Sequence, residues 1–141
     1  MTRRVIYIII GICVLAACSR RPEHATPTNK LPVIFPDYVG VTVPVGVAPL
    51  NFTMADEGFD CMDVTVKGER GGKIHSNGTT ADFDVDEWRD LLSLNKGGKI
   101  VFSVCVERNG KWLRYKEFDM YVSQHDLEEW GLTYRRVAPG Y

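Results

Sequence analysis

KIVFSVCVERNGKWLRYKEF, residues 99–118, decides the architecture. Ile100, Phe102, Val104 and Val106 alternate with Val101, Ser103, Cys105 and Glu107. A period of two is the signature of a strand with one face buried. The first set is the core face, and the second is half-exposed or covered late. Asn109-Gly110 then interrupts the pattern. An Asn-Gly pair between alternating segments signals a two-residue type I′ hairpin. Residues 99–107 and 112–118 are therefore two arms of one hairpin, with 119–122 continuing the second arm.

Upstream lies one helix. Asp84 stands as N-cap with Glu87 at the capping-box position. Val85, Trp88, Leu91, Leu92 and Leu94 fall on one face at helical spacing, and Asn95-Lys96-Gly97-Gly98 closes the segment. Trp88 reads as a core plug beneath the helix. Farther upstream, residues 62–67 alternate as a strand that ends in a turn over 69–72. Residues 73–76 and 79–83 read as a second hairpin around Asn77-Gly78. Downstream, 123–129 resembles a short capped helical turn, and 134–137 a last strand. Short strands with turn signals between them predict a mainly β fold, an immunoglobulin-like β-sandwich with one crossover helix.

Residues 35–52, FPDYVGVTVPVGVAPLNF, are apolar but carry Pro36, Pro44 and Pro49. Proline donates no backbone hydrogen bond and is confined to sheet edges, strand starts and bulges. Val41, Val43, Val45 and Val47 still alternate, so one face can bury. This pattern predicts an extended strap over 32–50 that leads into a sandwich domain over 51–141. Phe35, Tyr38, Val43, Leu50 and Phe52 are its candidate interaction surface.

The motifs of catalysis and metal binding are missing. Gly-Gly-Lys-Ile occurs at 71–74 and 97–100, but isoleucine stands where a phosphate loop needs Ser or Thr. Both copies read as turns feeding strands. His24, His75 and His125 lack the close-spaced partners of a zinc site. Asp82, Asp84, Asp86 and Glu87 lack the glycine and terminal glutamate of a calcium loop and read as a helix-capping cluster. His75 and Ser76 are adjacent, so in a strand they point to opposite faces. No cofactor, no metal and no enzymatic activity are expected. The net charge of −1, with both signs well mixed, speaks against nucleic acid as a partner.

The N-terminus specifies a location. Basic Met1-Thr2-Arg3-Arg4 precedes an apolar run of about 13 residues, short of the roughly 20 that span a bilayer. This is the layout of a signal peptide over 1–17. Leu15-Ala16-Ala17-Cys18 resembles the lipobox of bacterial lipoproteins, in which the cysteine becomes the acylated N-terminus. The resemblance implies lipid attachment at Cys18; Ser19 resembles the pattern sent to the outer membrane, and basic Arg20-Arg21, without the acidic stretch of surface export, points to its periplasmic face. Two or more acyl chains anchor stably where one is marginal. Residues 18–31 have tether composition. Of the remaining cysteines, Cys61 and Cys105 either bridge two strands, which an exported compartment permits, or are buried separately as thiols.

Phe35-Pro36-Asp37-Tyr38, Val41-Thr42-Val43-Pro44 and Ala48-Pro49-Leu50-Asn51-Phe52, with Pro139-Gly140-Tyr141 at the end, resemble the N-terminal region of a family of uncharacterised bacterial lipoproteins. Members usually continue into a TolB-like β-propeller. This chain ends at Tyr141, so it reads either as a short member or as part of a longer protein. The lipobox, the absence of a catalytic constellation and the apolar proline strap together point to a membrane-anchored binding or scaffolding module with a protein or domain partner. The alternative is a carbohydrate- or peptide-binding module using Trp112, Tyr115, Tyr121, Trp130 or Tyr134. A hydrolase ranks third.

Overall fold

A computed structural model describes residue 22 and residues 24–126. The fold is mainly β, with one helix among the described residues. The strands are β1 (Thr26–Pro27), β2 (Ile34–Phe35), β3 (Thr42–Val45), β4 (Thr53–Met54), β5 (Cys61–Gly68) and β6 (Lys73–Gly78). Helix α1 (Val85–Leu94) follows, then β7 (Lys99–Arg108), β8 (Lys111–Arg114) and β9 (Phe118–Asp126). A seven-stranded mixed sheet and the two-stranded β2–β4 pair make up the strands, consistent with a sandwich.

The 99–118 hairpin organises the larger sheet. Asn109 and Gly110 take φ of 52° and 73°, as a type I′ turn requires, and Arg108 pairs with Lys111. β5 pairs along its whole length with Ile100 to Glu107 of β7 on one edge, with Val64 opposite Val104. On the other edge β8 pairs with Cys105 to Arg108, and β9 pairs with Lys99 to Phe102. Between them Ser103 and Val104 of β7 face Tyr115, Lys116 and Glu117, one residue too many. The second arm is thus a single strand broken by a bulge, which bends and twists it locally.

β6 pairs antiparallel with β5, and α1 then carries the chain across β5 to β7. Asp84 caps α1, its carboxylate accepting from the amides of Asp86 (2.9 Å) and Glu87 (3.0 Å). Trp88, Leu91 and Leu92 are buried, while Val85 and Leu94 at the rim of the apolar stripe remain exposed. They pack toward Met62, Val64, Val66, Ile100, Phe102, Val104 and Val106, the expected core face of β5 and β7. Phe102 stacks on Phe118 at 4.8 Å, and Phe52 sits edge-on to Phe118 and tilted against Phe102.

Three local expectations are corrected. Asn77-Gly78 makes no turn; it ends β6, with Asn77 opposite Asp63 and Gly78 opposite Met62. Residues 79–83 contribute only the Phe52–Ala81 bridge. Residues 123–126 belong to β9 instead of a helical turn, because β3 lies alongside and supplies a parallel partner from Thr42 to Val45. Residues 127–141, with the expected last strand, lie outside the described residues, as do 1–21.

The proline-rich segment enters the sheet as an edge. β3 pairs with β9, and its register shifts between Val43 and Val45, at Pro44, which has no N–H to give. Part of the expected tether is also docked. Thr26 and Pro27 pair with Leu113 and Arg114, and the Thr28 amide donates to the Arg114 carbonyl at 2.7 Å.

Candidate functional site

The second face of the large sheet holds the unusual chemistry. In an antiparallel pair, directly opposed residues share a face. Asn77, Asp63, Cys105 and Arg114 therefore form one row across β6, β5, β7 and β8. His75, Thr65 and Ser103 form the next row. Cys61, Glu107 and Trp112 form a third. A depression of about 340 Å³ lies here beside the 115–117 bulge, with Thr65 and Ser103 in its floor and Lys67, Lys73, Arg114 and Glu117 around it. Pro22 also touches it.

Asp63 is the centre of the arrangement. It is only 7% exposed, so its carboxylate needs hydrogen bonds. His75 Nε2 lies 2.8 Å from Oδ2, and Asn77 Nδ2 donates to the same oxygen at 3.1 Å. The imidazole is about half exposed, so the dyad has one end in solvent. The Cys61 thiol lies 3.6 Å from Asn77 Oδ1. These groups can donate and accept hydrogen bonds to a polar ligand.

The Cys105 thiol is not activated as a nucleophile. Burial pushes the Cys105 thiol above its usual range, and the nearby Asp63 carboxylate adds to the effect. The Arg114 guanidinium, hydrogen-bonded to the thiol, opposes it without cancelling it. Cys105 is thus protonated at neutral pH, whereas a reactive cysteine needs a depressed pKa. A variant with Cys13, Cys18 and Cys61 replaced by Ala isolates this thiol. Its modification by an aromatic disulfide at pH 8 is expected to be at least about tenfold slower in the folded than in the denaturant-unfolded chain. Equal rates would show an activated thiol. The raised folded value also means that its contribution to stability is intact below the unfolded pKa near 8.5 and is lost as pH rises beyond it.

Cys61 and Cys105 are both buried, and no disulfide joins them. The register explains this: Cys61 stands opposite Glu107 and Cys105 opposite Asp63, so the two are diagonal neighbours. Diagonal Cα atoms lie about 7–8 Å apart, beyond ordinary disulfide reach. On the open face, Lys99 pairs with Asp119 at 2.9 Å, and that hydrogen bond, reinforced by the carboxylate's charge, raises the lysine's pKa. It is an exposed surface pair.

The expected strap surface divides. Val43 and Phe52 are core residues, since β3 and the Phe52–Ala81 bridge turn them inward. Tyr38 and Leu50 pack partly against the core, and Phe35 is 68% exposed. Leu31 and Val33 beside it are exposed as well. Of the aromatic candidates, Trp112 is half-buried on the open face, Tyr115 packs on the core and Tyr121 is exposed. Trp130, Tyr134 and Cys18 lie outside the described residues. Asp82, Asp84 and Asp86 bind Asn51, the helix amides and Arg89. No group of three metal-binding side chains occurs among the described residues.

Asp63, Thr65, His75, Asn77 and Arg114 were not foreseen as a site. The available signal was a carboxylate inside the alternation of 62–67, where a solvent-facing residue would have no reason to be buried. No protein-family model, curated protein or solved structure matches the chain.

Proposed function

We propose that this chain is a membrane-anchored envelope lipoprotein, held by acylated Cys18, that acts as a non-enzymatic binding module. The ligand face is the open side of the large sheet. The observation that carries this reading is the polar depression around Asp63, in which hydrogen-bonding side chains from four strands converge beside a strand bulge. Binding sites need few, well-positioned polar groups in a concavity, and this concavity is of ligand size. The protonated Cys105 supports binding over nucleophilic chemistry.

The same face favours a small polyhydroxylated or peptide ligand over a flat protein contact. Thr65 and Ser103 offer hydroxyls, His75 and Asn77 offer planar polar groups, and Trp112 shares the face. An immunoglobulin-like relation of the sheets, and the role of 32–50 as a strap that positions the domain, belong to this reading. The parallel seating of β3 on β9 supports both, since it fastens the N-terminal segment to the last described strand.

The test is amide chemical-shift mapping of the full chain against oligosaccharides and short peptides. Binding is expected to perturb 63, 65, 75, 103 and 105 together, and Thr65→Trp is expected to abolish the response. A panel without effect, or shifts confined to other surfaces, would reject the open face. The anchor is read separately, by the mass of the N-terminal peptide and by release of Cys18→Ala from the membrane fraction.

A further inference from the structure

Leu31, Val33 and Phe35 are 44%, 65% and 68% exposed, while the intervening Pro32 and Ile34 are buried. The alternation is that of a half-buried strand with its polarity reversed: both faces are apolar, and one has no cover among the described residues. Contiguous exposed apolar surface marks an interaction site. We propose that this stripe contacts the lipid bilayer and seats the domain on it. The inference rests on the anchor reading at Cys18 and assigns the side of the domain that the anchor presents to lipid.

Chain length makes the bilayer the fitting occupant. β1 begins at Thr26, about eight residues after Cys18, and docks on β8 through Thr26 and Pro27. An extended leash of that length reaches under about 30 Å. An acylated Cys18 therefore keeps the β1–β8 edge near the membrane surface. The stripe follows β1 directly in sequence, and Lys30, adjacent to Leu31, is fastened to the same edge where its carbonyl accepts from the Lys116 amide at 2.9 Å.

Strand addition by a protein partner is disfavoured. β2 already uses one edge for β4, and the Val33 carbonyl accepts from Ala55 on that side. Pro32 and Pro36 flank β2 and have no N–H to offer on the other. The surrounding charge is mixed: Lys30 and Lys116 on one side, Asp37, Asp56 and Glu57 on the other. Attraction to anionic lipid is thus weak, and the contact is apolar and insensitive to salt.

The test uses the full chain reconstituted in phosphatidylethanolamine–phosphatidylglycerol vesicles, with an environment-sensitive fluorophore on Val33→Cys or, as control, on Arg70→Cys. Cys61 and Cys105 are buried and stay unlabelled. Arg70 lies in the turn after β5, at the far end of the sheet from the stripe. Spin-labelled lipid is expected to quench the probe at 33 at least about twofold more than the probe at 70, unchanged between low and high salt. Leu31→Ser with Phe35→Ser is expected to remove about half or more of that quenching while leaving the circular dichroism intact.

Equal quenching at the two positions would overturn the proposal. So would a blue-shifted probe that lipid does not quench but that self-quenches as protein density rises, which would identify a second copy as the occupant. Quenching abolished by salt would assign the contact to the lysines and also overturn it. Membrane retention of the wild type against Cys18→Ala is scored independently. Retention without quenching at 33 leaves the anchor standing and removes the stripe; quenching at 33 in a Cys18→Ala chain, whose position 18 takes no fluorophore, supports the stripe independently of the anchor.

Discussion

Replacing Trp88 by alanine lowers the unfolding free energy by about 3–5 kcal/mol, the range for deleting a fully buried large aromatic. Trp88 has no exposed surface. Its ring stacks on Phe83 at 5.6 Å with 22° between planes, and Phe83 stands edge-on to Phe102 in the centre of β7. Its indole N–H donates to the Val47 carbonyl at 3.2 Å, which ties the helix to the segment after β3. A domain of this size has roughly 5–15 kcal/mol to lose, so the variant forfeits a large fraction of its stability. Trp88→Phe keeps the stack but abandons that carbonyl, and about 1–3 kcal/mol is the expected cost. Urea unfolding of the three proteins checks both values. A loss below about 1 kcal/mol for alanine would show that α1 does not share the core of the sheet.

The second large effect is expected at the joint between α1 and the β5–β6 turn. Asn95 is fully buried, and its side chain is saturated. Oδ1 accepts from the Arg70 amide at 2.8 Å, and Nδ2 donates to the carbonyls of Gly71 at 3.0 Å and Leu91 at 2.8 Å. Asn95→Ala leaves an amide and a carbonyl of the turn without these partners, at about 2–4 kcal/mol. Asn95→Asp is no rescue, because a carboxylate then faces two carbonyl oxygens. Gly68→Ala strikes the same joint from the other side. Its Cβ would overlap Asn95 Nδ2 and the Gly71 carbonyl oxygen. Since one obstacle is backbone, relief needs the turn to move, and a loss above about 2 kcal/mol is expected. Because the two residues touch, the double variant Gly68→Ala with Asn95→Ala should lose less than the sum. Strict additivity in thermal or urea unfolding would show that the joint is not a unit.

The 99–118 hairpin, the 62–67 strand and the capped helix were legible because each is encoded by short-range pattern. Apolar spacing, an Asn-Gly turn and an Asp cap act within a few residues, and neighbours in sequence suffice to read them. Asn77-Gly78 had the same turn signature as Asn109-Gly110 and misled. What separates them is β5, which accepts Asn77 as a strand residue opposite Asp63 and uses its side chain for the carboxylate. Residues 123–126 likewise have local helical character that β3 overrides by lying parallel to them. Long-range pairing supplies the hydrogen bonds that local propensity would otherwise seek.

The candidate site was still less legible. Its rows are made of residues up to about 50 positions apart, and membership depends on the registers of β6, β5, β7 and β8. A shift of one residue would turn Asp63, Thr65 and Cys105 into the core. The bulge at 115–117 that accompanies the depression is one extra residue in an otherwise regular arm, and no turn residue announces it.

The sequence alone determined a mainly β chain, its principal hairpin, its helix with Trp88 inward, and the alternation that separates a core face from a polar one. Those are consequences of side-chain periodicity, which is local and additive. Only the tertiary structure decided which polar residues stand together, that Cys61 and Cys105 are diagonal and not bridged, that the proline-rich segment contributes β3 to the sheet and Val43 and Phe52 to the core, and that Leu31, Val33 and Phe35 are left outward. These outcomes rest on register and on the closure of distant segments, and the free energy that fixes them belongs to no single stretch of the chain.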